Sequence, residues 1–471
     1  QIYIDPPYNT GSDDFNYKDS YQRSSWLSLI SDRVALSKEV LANDGTFAAS
    51  IDFKEVDRFT FLLDEIFGQG TKRNSITVKR GSATGAKVIN PGVVNVSENI
   101  LLYSKTSYSW SANKVFRQKE YDSRYGSFIE NFDDDYAGWK FSTVLDQFAK
   151  FMGLKKSTLK KELGDEYHKK LEDFVILNAD KIIRFASLDE NSISGDARQL
   201  KKESKKDTKK VFRLSREDAN DYYIIDGNAI LFYKHRLISV GGRLVPGEPI
   251  TDIWDDVLPN DLHNEGGVAL RKGKKPERLI SRLLEIGTNK KDIILDFFVG
   301  SGTSSAVAHK TGRGWIGIEQ ADYFDEVTKA RLCKTLYGDK SGVSNDFNWR
   351  GGGAFKYLRL ESYEDTLNNL SLQADPARER ALADNPTLRK DYVLNYWLDV
   401  ETQGSKSLLN VAAFSDPTAY TMRIKQPGSD VQRLQPIDLI ETFNWLIGLW
   451  VEQMAAPQTL EAEFTREVDP V

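Results

Sequence analysis

The segment Asp5-Pro6-Pro7-Tyr8 follows directly on a short apolar run, residues 2–4, that predicts a buried strand. Asp5 offers a carboxylate acceptor, and the prolines fix the backbone and leave the Pro6 carbonyl as a second acceptor. Tyr8 offers a ring face for stacking. Two acceptors and a ring suit an aromatic amino group, whose lone pair must be drawn out of the ring before it reacts. A plain strand stop is the alternative reading of the segment.

A second segment, Gly300-Ser301-Gly302-Thr303, separates a predicted strand from a predicted helix. Glycines at such a turn let the backbone approach a ligand, and doubly wound sheets bind ligands at strand carboxyl ends. Glu319 ends the next predicted strand and could bind ribose hydroxyls. Ser305 replaces the third glycine of a dinucleotide fingerprint, and the turn lacks the lysine of a phosphate loop. A nucleoside-like ligand without pyrophosphate is therefore expected, although a purely structural turn remains open.

Hydrophobic periodicity predicts alternating strands and helices on both sides of a long irregular region. The predicted strands are 2–4, 46–51, 74–79, 100–103, 292–298 and 315–318, and the predicted helices are 25–41, 54–67, 278–286, 304–309 and 323–336. This order predicts an α/β fold, a doubly wound Rossmann-like sheet formed from two sequence segments. We expect those segments at 1–105 and 266–353, an inserted domain at 106–265, and a mixed α+β C-terminal region at 354–471.

Composition restricts the class of protein. The chain has 471 residues and one cysteine, Cys333, which excludes a disulfide framework, and its four scattered histidines give no metal site. The sequence contains no apolar run of about 18 residues, so no membrane span is predicted, and a cytoplasmic location is expected. The chain begins at Gln1, inside what reads as a core strand, and we expect that native sequence precedes it.

Charge is unevenly distributed along the chain. From Glu361 onward there are 9 Lys and Arg against 18 Asp and Glu, so the preceding residues carry a net charge of +4 out of a total of −5. Lysine pairs spaced by four residues would share one face of a helix and could follow a phosphate backbone. They are Lys201, Lys202, Lys205, Lys206, Lys209 and Lys210. A solvated loop is the alternative. Five aromatic residues of the insertion could stack on bases, although core packing is favoured: Tyr108, Trp110, Tyr121, Tyr125 and Trp139.

The motifs and their order resemble those of β-class DNA adenine-N6 methyltransferases, and in particular the modification (Mod) subunits of type III restriction-modification systems. The resemblance rests on the Asp-Pro-Pro-Tyr motif preceding, and a motif at residues 296–303 following, an unmatched middle region. It extends to residues 9–11, 44–46, 50–52, 65–68, 273–277 and 316–319, and to residues 360–370 and 438–449 in the C-terminal region. Family members carry a further segment upstream of the catalytic strand.

The resemblance implies S-adenosyl-L-methionine as cofactor and direct methyl transfer to a flipped adenine of double-stranded DNA. Asp5, Pro6, Pro7 and Tyr8 would hold the adenine. The cofactor residues implied are Asp296, Phe298, Gly300, Ser301, Gly302 and Thr303, with Glu319 on the ribose and Lys275-Pro276 near the cofactor's carboxylate. Residues 106–265 would be the target-recognition domain.

Several alternatives stay open from the sequence. The resemblance implies that Asp rather than Ser at the first motif position favours adenine N6 over cytosine N4. Cytosine N4 or RNA remains possible as the target, as does an inactive DNA-binding relative or fragment. The acidic C-terminal region is expected to mediate homodimerisation or the docking of a restriction (helicase-nuclease) subunit.

Overall fold

The computed structural model describes residues 1–9, 11, 19–82, 92–191, 193–216, 221–240, 242–259, 262–270, 273–405, 407, 416–426, 429, 431–449, 451–453, 455 and 461. The chain divides into two compact units, Gln1–Ala354 and Phe355–Val471. No helix within these ranges is long and apolar enough to cross a membrane.

The strands of the first unit are β1 (Ile2–Ile4), β2 (Thr46–Ile51), β3 (Lys72–Lys79), β4 (Ser97–Ser104), β5 (Phe116–Gln118), β6 (Ser127–Ile129), β7 (Phe141–Thr143), β8 (Ile182–Ser187), β9 (Phe212–Leu214), β10 (Tyr222–Ile225), β11 (Asn228–Phe232), β12 (Leu237–Val240), β13 (Arg243–Pro249), β14 (Ile253–Trp254), β15 (Ile293–Asp296) and β16 (Gly314–Gly317). Its α-helices are α1 (Arg23–Val40), α2 (Val56–Phe67), α3 (Val144–Met152), α4 (Leu159–Leu163), α5 (Tyr167–Leu177), α6 (Gly195–Ser204), α7 (Glu277–Gly287), α8 (Thr303–Lys310) and α9 (Ala330–Leu336).

A seven-stranded sheet in the order β14-β3-β4-β2-β1-β15-β16 carries the first unit. Strands β2, β1, β15 and β16 run parallel, whereas β4 is antiparallel to both of its neighbours. The central strand β1 is parallel to β15, with Ile2 opposite Leu295, although these residues lie near opposite ends of the first unit's sequence. The predicted doubly wound sheet from two sequence segments is confirmed.

Both faces of this sheet are covered, as alternation along its strands requires. Ile2, Ile4 and Phe47 pack on the side of α1 and α2, where Trp26 and Phe59 are fully buried. Tyr3 and Ala48 point to the other side and pack in one cluster with apolar residues of α7 and α8. Each burial of a large apolar side chain contributes roughly 1.5–3 kcal/mol, so the sheet core holds β1 firmly in the centre.

The inserted region has its own sheets. One has the order β7-β6-β8-β11-β10-β9 and the other the order β12-β13-β5. Trp139 and Tyr125 lie in their cores, Tyr121 and Trp110 pack against buried clusters, and Tyr108 is exposed. Packing therefore explains four of the five aromatic residues. The short strand β14, within the predicted insertion, pairs with β3 of the central sheet.

Two secondary-structure predictions need correction. The strand expected at 292–298 ends at Asp296, because Asp296 turns its side chain back to accept from the Phe298 amide. The single helix expected at 323–336 is a 3-10 turn (Asp322–Phe324), then a π-helical turn (Asp325–Lys329), and only then α9. A π-helical turn places one extra residue in the helix, and such turns recur at functional sites.

The second unit contains α10 (Tyr363–Asn368), α11 (Pro376–Asp384), α12 (Pro386–Asn395), α13 (Trp397–Glu401), the hairpin β17 (Thr421–Lys425) and β18 (Gln432–Pro436), and α14 (Leu439–Ile447). Its buried cluster is small, formed by Tyr420, Met422, Ile424 and Leu439. The mixed α+β character expected of this region is observed.

Candidate active site

The two sequence motifs lie at the same edge of the central sheet. The Asp-Pro-Pro-Tyr motif follows β1, and the glycine turn follows β15, its parallel neighbour. Because the carboxyl ends of adjacent parallel strands meet at one edge, the fold brings the two motifs side by side. The prolines end β1 there, since neither can donate to a sheet ladder.

Four side chains converge at the end of β1, and we call them the Asp5 cluster: Asp5, Tyr8, Glu98 and Lys275. Tyr8 Oη donates to Asp5 Oδ1 at 2.8 Å, and Lys275 Nζ lies 3.1 Å from the same oxygen. Lys275 Nζ also donates to Tyr8 Oη at 2.7 Å and to Glu98 Oε2 at 3.1 Å. Charge-assisted contacts of this length are strong in a site withdrawn from water.

Glu98 was not predicted from the sequence. It stands near the start of β4, which runs antiparallel to β2 and β3, so its amino end lies at the edge where the parallel strands end. Its side chain is only 6% exposed. A lone acid just before the buried apolar run of β4, residues 100–103, was the available signal, since buried carboxylates occur with partners.

Lys275 links the two motifs. Its side chain contacts Asp5, while its backbone carbonyl accepts from Thr303 Oγ1 at 3.2 Å in the glycine turn. Pro276 caps α7 immediately afterwards. The contact of Lys275 with a cofactor carboxylate stays a prediction, and the described residues place its ammonium on Asp5 and Glu98 instead.

The electrostatics of the cluster follow from burial and from its two carboxylates. Burial raises the pKa of Asp5, Lys275 lowers it, and Glu98 raises it again. Burial alone would lower the pKa of Lys275, but Asp5 and Glu98 outweigh it and the pKa is raised. Burial and the two carboxylates also raise the pKa of Tyr8, so its phenol stays protonated. The cluster therefore carries one ammonium against two carboxyl groups.

Hydrogen bonds from neighbouring elements fix the backbone of the Asp-Pro-Pro-Tyr motif. Trp26 of α1 is fully buried, and its Nε1 donates to the Pro7 carbonyl at 2.8 Å. The Asn9 amide donates to Asp19 Oδ1, and Asn9 Oδ1 accepts from the Tyr21 amide, each at 2.8 Å. Below the motif, Tyr3 Oη and Ser50 Oγ lie 2.9 Å apart. Asp5 and Tyr8 thus project from a rigid turn.

The glycine turn is shaped by its backbone. Gly300 and Gly302 have φ angles of 52° and 80°, in the left-handed region that side chains with a Cβ avoid. Glu319 Oε2 accepts from the Gly300 amide at 2.8 Å, and its Oε1 accepts from the amides of Gln320 and Ala321 at 3.0 Å. Glu319 is half-buried, and these hydrogen bonds stabilise the turn. Its contact with a ribose stays a prediction.

Asp296 and Thr303 stabilise this turn from within. Asp296 accepts from Ser304 Oγ at 2.5 Å and from the Phe298 amide at 2.9 Å. Burial raises the pKa of Asp296 to about 7, and the Ser304 hydrogen bond opposes that rise. Arg331 Nη1 donates to Thr303 Oγ1 at 2.7 Å, and Ser301 Oγ lies 3.0 Å from the same atom. Asp296, Ser301 and Thr303 are buried, whereas Phe298 is partly exposed.

The lysine pairs do not share one helix face, and this prediction was wrong. Helix α6 ends at Ser204, so only Lys201 and Lys202 are helical. Asp207 forms the next turn by accepting from the Lys209 amide, which competes with helical hydrogen bonding. Lys201 is 12% exposed because it donates to the Leu188 carbonyl and pairs with Glu190. The other five are at least partly exposed: Lys202, Lys205, Lys206, Lys209 and Lys210.

Comparisons with known proteins agree with this geometry. A family model described as DNA methylase matches residues 1–330. The chain is 30% identical over 437 residues to the "Probable type III restriction-modification enzyme HindVI Mod subunit" of Haemophilus influenzae, covering 84% of this chain and 55% of that one. It is 27% identical to the EcoPI Mod subunit of Escherichia phage P1, covering 65% and 51%. The chain thus spans about half the length of these curated relatives.

Solved structures with partial likeness include the M1.HpyAVI-SAM complex, at 12% identity and a TM-score of 0.30 over 70% of this chain and 87% of that one. PvuII DNA methyltransferase (cytosine-N4-specific) gives 11% identity and a TM-score of 0.33 over 74% and 84%. Scores this low carry no argument of their own.

The order of the Asp-Pro-Pro-Tyr motif and the glycine turn, and their place at neighbouring strand ends of a doubly wound sheet, agree with the resemblance of the sequence to the amino-methyltransferase class. Within that class, the match over residues 1–330 is decisive, and the chain belongs to the DNA methylase family.

Proposed function

We propose that this chain transfers a methyl group from S-adenosyl-L-methionine to N6 of a flipped-out adenine in double-stranded DNA. The observation that carries the proposal is the Asp5 carboxylate, 18% exposed and held by Lys275 at the end of β1, next to the glycine turn that follows β15. Membership of the DNA methylase family supports DNA as the substrate, and the Mod subunits among its relatives support a role in a type III system.

The residues around the glycine turn fit this cofactor. Phe298 offers a partly exposed ring and Glu319 a half-buried carboxylate, whereas residues 298–303 contain no cation that would match a polyphosphate. A carboxylate suits ribose hydroxyls, and an aromatic ring suits a sulfonium or a base. Glu319, Phe298 and the turn from Gly300 to Thr303 would hold the cofactor.

The chemistry assigns distinct tasks to the residues of the catalytic motif. S-adenosyl-L-methionine would supply an electrophilic sulfonium methyl group, and the N6 lone pair would form the new bond to the methyl carbon while the electron pair of the carbon–sulfur bond stays on sulfur. Asp5 accepts a hydrogen bond from the amino group, which draws the lone pair out of the ring and prepares N6 to lose a proton. Tyr8 supplies the stacking face, and the Pro6 carbonyl supplies the second acceptor.

Methyl transfer from labelled cofactor to mixed-sequence DNA tests the proposal, with the product digested to nucleosides and identified by mass spectrometry. We expect N6-methyladenine that disappears with Asp5→Ala. N4-methylcytosine would overturn the adenine assignment, and transfer to RNA alone would overturn DNA. Cofactor and DNA binding without transfer would identify a binding module.

We propose that the exposed lysines of residues 202–210 bind DNA phosphates. Five ammonium groups lie close together in this stretch, with Glu203 and Asp207 as the acids among them. Exchanging Lys205, Lys206, Lys209 and Lys210 for Ala should make the plot of log DNA-binding constant against log salt concentration less steep. The magnitude of its slope should fall by roughly one for each phosphate that is no longer neutralised. Lys201→Ala is the control, because Lys201 is already paired with Glu190. An unchanged slope in the fourfold variant would count against this assignment.

We propose that α14 belongs to an interface with a second copy of the chain, with a restriction subunit as the further partner. Its apolar side chains Ile440, Trp445 and Ile447 are each more than half exposed, and apolar exposure on this scale marks interaction sites. Ile440→Glu combined with Ile447→Glu should convert a dimer into a monomer in light scattering. A dimer that persists in the variant would place the interface elsewhere.

A further inference from the structure

The proposed methyl transfer assigns no role to Glu98, yet its side chain is the least exposed of the Asp5 cluster, at 6%. A buried carboxylate is costly unless its contacts offset the loss of water. Its contacts are Lys275 Nζ at 3.1 Å and Tyr8 Oη at 3.2 Å. Both partners are also the partners of Asp5.

The two carboxylate oxygens of Asp5 have different surroundings. The hydrogen bond from Tyr8 and the ion pair with Lys275 both reach Oδ1. Within the described part of the chain, Oδ2 is therefore the oxygen left to meet a substrate amino group. An ammonium paired with Asp5 alone would neutralise it and weaken it as an acceptor, whereas an ammonium shared with a second carboxylate leaves the cluster with a net negative charge.

We propose that Glu98 is a positioning residue that shares the Lys275 ammonium with Asp5, so that Asp5 is fixed through Oδ1 while Oδ2 keeps the negative charge needed to accept the amino hydrogen. This inference rests on the proposed function. It assigns to Glu98 an action through Lys275 and Tyr8, and no contact with either substrate.

Other groups near Asp5 set the background for its titration. Lys275 and Glu98 act on Asp5 most directly, together with Tyr8 of the same motif. The further groups whose charges interact with Asp5 are Tyr3 on β1, Asp296 on β15 and Tyr323 after β16. Exchanging Glu98 leaves these in place, so a change in the titration of Asp5 reports on the shared ammonium.

Glu98→Gln removes the charge and keeps an oxygen that can accept from Lys275. Because Glu98 raises the pKa of Asp5, the acid limb in the pH profile of the single-turnover rate should lie at lower pH in the variant than in the wild type. The plateau rate should fall at least about tenfold, since a less basic Asp5 is a weaker acceptor. The KM values for cofactor and DNA should stay within about twofold. Lys275→Met should move the same limb to higher pH.

A matched control is Glu248→Gln, because Glu248 is likewise held by two cations, Arg117 and Lys119, but lies on β13 outside the Asp5 cluster. It should leave the acid limb where the wild type has it. A fall in rate without a shifted limb in Glu98→Gln would mean a purely structural role and would overturn the inference.

A second readout needs no turnover. The carboxyl signal of Asp5, in chains labelled with ¹³C at aspartate and assigned by its loss in Asp5→Asn, should titrate at lower pH in Glu98→Gln than in the wild type. An unmoved titration overturns the inference. If the wild-type chain transfers no methyl group, the proposed function fails, and the Asp5 titration still decides the role of Glu98 by the same criterion.

Discussion

The ends of β1 and β15 lie side by side but are held in different ways. At the end of β1, Asp5 is held by Tyr8 of its own motif and by the distant Lys275, and the equally distant Glu98 contacts both of these side chains. At the end of β15, the turn is fixed by positive φ angles at Gly300 and Gly302 and by Glu319, which bonds its backbone. One end depends on the charge of convergent side chains, and the other depends on backbone shape.

This difference predicts which substitutions affect chemistry and which affect cofactor binding. A change at the end of β1 should reduce the rate of transfer without altering cofactor affinity, because the proposed function assigns the amino group to its side chains. A change at the end of β15 should do the reverse. Substitutions at Asp5, Gly302 and Ser304 test this division.

Asp5→Asn should have the largest effect. The amide retains the size of the carboxylate but loses the charge that accepts the amino hydrogen, so the single-turnover rate should fall by roughly 10²–10³. Cofactor affinity, measured by calorimetry, should change less than about threefold. Asp52→Asn is the control, since Asp52 is also buried and ion-paired, to Arg80 at 3.1 Å, at the end of the neighbouring β2. A loss of cofactor affinity as large as the loss of rate would remove the distinction between the two ends.

Gly302→Ala should act on the other end. A Cβ at φ 80° costs about 1–2 kcal/mol, and it would also lie 3.3 Å from Thr328 Cγ2. Cofactor affinity should therefore fall by roughly 5- to 30-fold, while the rate at saturating cofactor stays near that of the wild type. Gly314→Ala is the matched control, because the added methyl would make only an ordinary contact, 3.5 Å from Ile293 Cγ1. A fall in the saturated rate without a change in affinity would contradict the prediction.

The sequence predicted the end of β15 more completely than the end of β1, and the reason is physical. A turn defined by backbone conformation needs glycines at fixed positions and an acid on the next strand, so Gly300, Gly302 and Glu319 were all found from local spacing. The end of β1 is completed by Lys275, which contacts Asp5, and by Glu98, which contacts Lys275 and Tyr8, and these contacts form only after β4 and α7 are packed. Spacing along the chain carries no information about such pairs.

The prediction of secondary structure from the sequence was limited in the same way. Apolar alternation located β2 at 46–51 with the bounds observed, because a buried strand is set by its own residues. The lysine pairs were misplaced, because the end of α6 is decided by the Asp207 turn and by Ser204, which accepts from the distant Gly227 amide. Local pattern thus predicts an element, and tertiary contacts decide where it ends.

Ser304→Ala should have the smallest effect and tests the buried support of the glycine turn. The folded-state pKa of Asp296, about 7, lies above its ordinary value of 3.8, so the folded chain binds the proton more tightly than the unfolded chain. Stability from this group is therefore complete below about pH 4 and is lost as pH rises towards and through 7. The Ser304 hydroxyl opposes the raised pKa by donating to the carboxylate, at 2.5 Å.

Removing that hydroxyl should therefore matter once Asp296 is ionised. In urea unfolding followed by tryptophan fluorescence, Ser304→Ala should be destabilised by about 1–1.5 kcal/mol more at about pH 8 than at about pH 5, since a hydrogen bond to a charged group contributes about that much more than one to a neutral group. Ser305→Ala, equally buried on α8, should show the same loss at both pH values. An equal loss at both pH values for Ser304→Ala would mean that Asp296 keeps one protonation state throughout, and would contradict the prediction.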